Sequence, residues 1–127
     1  MADAEQIRVN AFVETQLDRL AAAIEAVVSA DVMAINGPIW PGMDGSVRQA
    51  IETRRRKPPG LRTKLAVVLD TGGGVIEVVE RMVNTIRHHY SEVVMIIPNQ
   101  AMSAGTVLAM SGDAIMHDGL LLLPRPN

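Results

Sequence analysis

The stretch whose reading decides the fold is Pro98-Asn99-Gln100-Ala101-Met102-Ser103-Ala104-Gly105-Thr106-Val107. Five apolar residues, Val93 to Ile97, lead into it, and apolar positions at Ala104, Val107, Leu108 and Met110 follow it. Proline has no N–H for a sheet ladder, so a buried strand is expected to stop at Pro98. The later apolar positions recur at helical spacing, so a helix is expected to open near Ser103. A serine at that turn would hold its hydroxyl at a helix N-terminus, among free N–H groups and the positive end of the helix dipole. Two readings are open: an acyl-transfer nucleophile, or a cap that satisfies one N–H.

A second stretch bears on the choice. Leu65-Ala66-Val67-Val68-Leu69 reads as another buried strand and runs directly into Asp70-Thr71-Gly72-Gly73-Gly74. Three successive residues without Cβ let a backbone adopt positive φ and approach a ligand closely. If the two strands are parallel neighbours, both turns lie at the carboxyl edge of one sheet, where open α/β folds place their sites.

With these residues in view, the chain resembles the Clp-fold serine proteases of the crotonase superfamily, and within them the serine dehydrogenase proteinases and the related signal peptide peptidases. The matching segments are Asp70-Thr71-Gly72-Gly73-Gly74-Val75 and Ala101-Met102-Ser103-Ala104-Gly105-Thr106, with Ser103 29 positions after Gly74. As a pair at this spacing they are fairly specific, and the resemblance runs over about 31–118. Gly72 stands where the family usually has proline. The resemblance implies a mostly parallel α/β sheet in Clp/crotonase-like ββα layers over that span, with the helix that apolar spacing marks at 1–30 preceding it. It implies Ser103 as nucleophile, an oxyanion hole at the amides of Gly74 and Ala104 with Gly73 in the same loop, a peptide or unfolded-protein substrate, and homo-oligomeric assembly. The family's chains continue well past residue 127, so the domain is expected to be incomplete.

Composition narrows the remaining classes. The chain has 127 residues, 48% hydrophobic and 20% charged, as suits one globular domain. A net charge of -2 argues against a nucleic-acid surface, which needs a clustered positive field. There is no cysteine, so disulfides and thiolate-metal sites are excluded. Only 2% of residues are aromatic and eight are methionine, which argues against a stacking platform for single strands.

Along the chain, 1–30 reads as an amphipathic helix, its stripe drawn by Phe12, Val13, Leu17, Leu20, Ala21, Ile24, Val27 and Val28. Packing on the domain is the expected role. Its charges, from Asp3 to Glu25, speak against a signal peptide or a spanning segment, so the expected placement is cytoplasmic, with peripheral membrane docking as the alternative. Asp31 to Ile39 reads as a strand entering a Gly- and Pro-rich loop, and Ser46 with Gln49 reads as a capping box that opens a helix over Val47 to Arg56. Trp40 is expected to fold over the core edge; left exposed, it would line a substrate groove. Arg54-Arg55-Arg56-Lys57 before Pro58-Pro59 reads as a helix end.

Beyond the glycine loop, Ile76, Val79, Met82, Val83 and Ile86 mark a helix that ends near His88-His89. Adjacent histidines face different ways and form a poor chelate, so neither a metal nor another cofactor is expected. Val93 to Gly112 has no charged residue over 20 positions, yet Pro98, Asn99, Gln100, Ser103 and Gly105 break it into strand, turn and helix rather than a membrane span. Ala114 to His117 begins another strand, and 119–127 is an atypical, leucine-rich tail. A truncated or frame-shifted reading frame is the expectation there, with a short form that assembles through the tail as the alternative.

Serine hydrolysis also needs a base to take the hydroxyl proton. The candidates are His117, 14 positions after Ser103, and Lys64, which starts the strand ending in the glycine loop and would sit roughly 15 Å away at ~3.3 Å per residue. The functional reading is therefore a serine endopeptidase of the Clp fold, whole or disabled by loss of a C-terminal base. Two alternatives stand beside it: a non-catalytic oligomeric scaffold, and an acyl-CoA-binding crotonase relative.

Overall fold

A computed structural model describes residues 3–117 and 120–122 of the chain. Of the expected tail, only the short strand at 120–122 falls among the described residues. Helix α1 spans Ala4–Val28, strand β1 Asp31–Asn36, α2 Met43–Arg56, β2 Lys64–Asp70, α3 Ile76–His89, β3 Glu92–Ile97, α4 Ala104–Met110, β4 Ala114–His117 and β5 Leu120–Leu122. The sheet runs in the order β1-β2-β3-β4-β5. The first four strands are parallel, and β5 pairs antiparallel with β4.

Strand order equal to chain order has a consequence for the helices. Each crossover steps in the same direction, and right-handed crossovers then place α2, α3 and α4 on one face. Side chains alternate along each strand, so one register row faces them. That row carries Ile35, Leu65, Val67, Leu69, Val93, Met95 and Ile97, all in the core with Val47 and Ile51 of α2, Val78, Val79, Met82 and Ile86 of α3, and Leu108 of α4. The opposite row, with Val32, Ala34, Val68, Ile96 and Met116, lies outside that core cluster.

At the amino edge one carboxylate ties several elements together. Asp31 is 2% exposed. Its Oδ2 accepts from the Tyr90 hydroxyl at 2.9 Å and from the Arg62 amide at 3.1 Å, while Oδ1 lies 3.3 Å from the Arg54 guanidinium. Burial, and then the bond to Asp31, push the Tyr90 phenol well above its ordinary pKa.

Two local expectations fail for physical reasons. The helix at the first loop does not open with a Ser46–Gln49 capping box: α2 starts at Met43, directly after Gly42 at φ 103°, and the Ser46 hydroxyl turns back to the Gly42 carbonyl at 3.4 Å. A serine already inside the helix bonds backward in this way instead of capping it. Helix α1 is capped as a helix should be, Asp3 accepting from the Gln6 amide at 2.8 Å, but it buries none of its residues. Of its apolar stripe only Ala21, Ile24 and Val28 are half-buried, whereas Leu17 and Leu20 stay 58% and 61% exposed. Packing along the whole stripe, the expected role, is therefore confined to the last two turns. Among the described residues no helix is long and apolar enough to cross a membrane.

The Asp31 cluster makes a measurable claim. Asp31→Ala leaves a buried hydroxyl and an amide without their acceptor and is expected to cost about 3 kcal/mol in urea unfolding, against about 1 kcal/mol for Tyr90→Phe. Equal losses in the two variants would mean that Asp31 acts through Tyr90 alone.

Candidate active site

Two loops leave the carboxyl edge beside each other. After β2 the chain continues as Thr71-Gly72-Gly73-Gly74, and after β3 as Pro98 to Ser103. They stay paired beyond the strands: the Thr71 amide donates to the Gln100 carbonyl at 3.0 Å, and the Met102 amide donates to the Thr71 carbonyl at 3.1 Å. On the other side, the Ile39 amide donates to the Gly73 carbonyl at 2.9 Å and the Val75 amide to the Ile39 carbonyl at 2.9 Å. The glycine loop is thus held between the β1 loop and the serine turn.

Thr71 is the hub of this arrangement, and the sequence reading missed it. It is 1% exposed, and its hydroxyl accepts from the Gly73 amide at 3.1 Å, which fixes the glycine turn. Its methyl packs against Gly105, where an added Cβ would collide with it. The signal was present as a threonine directly before three glycines. Nothing in the chain shows that this hydroxyl is buried.

The glycines are required by close approach. A methyl built on Gly73 would sit 2.7 Å from the Ser103 Cβ and 3.3 Å from its Oγ. One built on Gly74 would run into the Ile39 backbone, 2.7 Å from its carbonyl carbon and 2.8 Å from its nitrogen. Ser103 therefore meets the glycine loop directly, as two turns at one edge require.

Ser103 itself has φ 56° and ψ -124° and makes no side-chain cap bond. The capping reading is accordingly not the geometry found. A non-glycine residue at such φ is strained, typically by about 1–3 kcal/mol, and the surrounding bonds must hold it there. Three hold the turn beyond it: the Gly105 amide to the Met102 carbonyl at 2.9 Å, the Thr106 amide to the Ser103 carbonyl at 2.9 Å, and the Thr106 hydroxyl to the Ala101 carbonyl at 3.0 Å. The Ser103 side chain is left exposed at the start of α4. Among the described residues, the amides of Gly74 and Ala104 have no hydrogen-bond acceptor. Ala104 is the first residue of α4, where an N–H has no intrahelical partner.

The two candidate bases are separated by the sheet. Lys64 begins β2 at the amino edge, opposite the glycine loop, and pairs with Glu92 at 3.6 Å. His117 ends β4 at the carboxyl edge, opposite Ile97 in register and half-buried on the helix-bearing face. Trp40 does not fold over the core edge: it follows Ile39 in the loop beside Gly74 and is 61% exposed, because Ile39 takes the buried position.

The strained backbone is testable apart from any chemistry. Glycine accommodates φ 56° and alanine does not, so Ser103→Gly is expected to be more stable than Ser103→Ala by about 1 kcal/mol in chemical unfolding. An alanine variant at least as stable would show that the turn is relaxed.

No family model matches the chain, and no curated protein does. Among solved structures, the chain is similar to a mutant of ClpP1 from Listeria monocytogenes, with a TM-score of 0.56 and 13% sequence identity, over 70% of this chain and 50% of that one. The chain spans about half the length of that protein. Parallel strands in chain order, helices on one face and the likeness to ClpP1 together identify the architecture as the Clp-protease fold.

Proposed function

We propose that this chain is a serine peptidase of the Clp fold, related to the serine dehydrogenase proteinases and signal peptide peptidases, with Ser103 as nucleophile and the amides of Gly74 and Ala104 as its oxyanion hole. The observation that carries the reading is the backbone of Ser103, turned to φ 56° with its hydroxyl uncapped and beside Gly73. Strain of this kind gathers where a nucleophile is presented at a sharp strand-to-helix turn.

In the proposed reaction the Ser103 Oγ attacks the carbonyl carbon of a peptide bond and its proton passes to a base. Charge develops on the carbonyl oxygen, and two amides without other acceptors stabilise it, the loss of one such donor commonly costing about 3–4 kcal/mol of barrier. The base returns that proton to the nitrogen as the intermediate collapses, which expels the amine and leaves an acyl-serine; water, deprotonated by the same base, then hydrolyses the ester. His117 is the base that position favours, since His88, His89, Lys57 and Lys64 all lie at the amino edge. Peptide or unfolded protein is the substrate class, and the exposed Trp40 and Met102 flanking the turn supply apolar contact for an extended chain.

A fluorophosphonate probe tests this reading. Covalent labelling of Ser103, lost in Ser103→Ala and slowed at least about a hundredfold in His117→Gln, is the expected result, together with Ser103-dependent cleavage of casein. Absence of labelling and of cleavage in the unaltered chain would leave the scaffold reading.

Assembly of identical copies is the second reading, favoured by a specific observation. The stripe Val13, Leu17, Leu20 and Val27 of α1 is uncovered, at spacings of four, three and seven residues that keep it on one face. Sedimentation velocity is expected to show an oligomer that Leu17→Glu with Leu20→Glu converts to smaller species; an unchanged sedimentation coefficient would remove α1 from the assembly.

A further inference from the structure

A cleft of about 410 Å³ lies between the C-terminal halves of α2 and α3, at the amino edge and away from Ser103. Arg48, Glu52 and Arg55 line it from α2, and Thr85, His88 and His89 from α3. Four of these six side chains are cations or become cations on protonation, against one carboxylate. Three other arginines on the same helices reach an acid, Arg54 to Asp31 at 3.3 Å, Arg81 to Asp44 at 3.0 Å and Arg87 to Asp113 at 2.8 Å, whereas Arg56, outside the cleft at the end of α2, does not among the described residues. Arg48 and Arg55 have no carboxylate partner among the described residues. Instead the Arg55 Nη2 lies 2.5 Å from Nδ1 and 3.1 Å from Nε2 of His89, and the His88 ring stands edge-on to His89 with centroids 4.9 Å apart.

A guanidinium pressed on an imidazole, with a second imidazole beside it and Glu52 the one carboxylate among the lining residues, is an arrangement short of counter-charge. Burial first, then Arg55 and His88, hold the His89 pKa below the ordinary imidazole value, with Glu52 opposing weakly. An anion with several oxygens would reverse that situation. It would accept from both guanidinium groups, whose planar donors suit such oxygens, and from the Thr85 hydroxyl, and it would favour the imidazolium form of His89. The cleft volume is in the range of small-molecule sites.

We propose that this cleft binds a small oxyanion of the phosphate class, free or as the phosphoryl group of a small metabolite, through Arg48 and Arg55 of α2 and Thr85 and His89 of α3. The site is independent of the chemistry assigned to Ser103.

Amide NMR titrations at constant ionic strength, with inorganic phosphate, adenosine monophosphate and sulfate, test it. Saturable shifts confined to α2 and α3 are expected, weakened at least about tenfold by Arg55→Gln or His89→Gln and left as they are by the control Arg81→Gln. Tighter binding of the monophosphate than of phosphate assigns the site to a phosphoryl ester, and the reverse to the free ion. Sulfate keeps its charge across the imidazole range, so its binding is expected to tighten as pH falls and His89 protonates. Shifts that do not saturate, equal shifts with sodium chloride, unchanged affinity in both variants, or sulfate binding that is flat with pH would each overturn the proposal. Probe labelling at Ser103 is expected to be the same in all these variants, which separates this test from that of the peptidase reading.

Discussion

The structure depends on backbone meeting backbone at the carboxyl edge without side chains between. Gly74 lies so close to Ile39, and Gly73 so close to Ser103, that a single added carbon at either would overlap its neighbour. Four hydrogen bonds knit the three loops at this point, two from Thr71 and Met102 and two from Ile39 and Val75. Those bonds use the Gly73 carbonyl and the Val75 amide on either side of Gly74, and the Gly74 amide has no acceptor among the described residues. The same constraint holds Ser103 at a backbone angle that it would not choose, and presents its hydroxyl beside the glycine loop. Strain in the turn is thus supported by parallel pairing carried past the strand ends, at Thr71 with Ala101 and at Ile39 with Gly74.

Topology places this edge where chemistry can occur. Parallel strands in chain order bring every strand-to-helix turn to one side, and stepping in one direction puts all the crossover helices on one face. The helix face is closed by aliphatic side chains, with methionine at Met82 and Met95 filling the centre. On the other face Val32, Val68, Ile96 and Met116 are half-buried, while Val13, Leu17, Leu20 and Val27 of α1 are exposed. Across the sheet, the amino edge has a different character. The buried Asp31 cluster holds it together, and the ends of α2 and α3 gather cations that stabilise the negative ends of both helices. The two edges therefore offer different chemistry: uncharged amides and a hydroxyl at one, guanidinium and imidazole at the other.

Much of this was legible in the amino-acid order, and the reasons are local. Val93 to Ile97 followed by Pro98 is a strand with its end marked. Ile76, Val79, Met82, Val83 and Ile86 are a helix whose buried face is written at its own period. Three glycines after Leu69 announce a backbone that something must approach. Ser46 with Gln49 misled because a capping box is a pattern of two side chains, whereas Gly42 opened the helix four residues earlier through backbone freedom alone. The α1 stripe gave its face correctly but not its cover, since periodicity reports which side is apolar and not what lies against it.

What the sequence by itself determined was the succession of strands, turns and helices and the residue types at each turn, because these follow from short-range sterics and the spacing of apolar side chains. Only the tertiary structure decided that Thr71 would be buried between two loops, that Ser103 would be strained rather than capping, and that Arg55 would rest on His89. Each of those depends on contacts between residues far apart in the chain, which the pairing of strands and the packing of helices against one sheet face bring together.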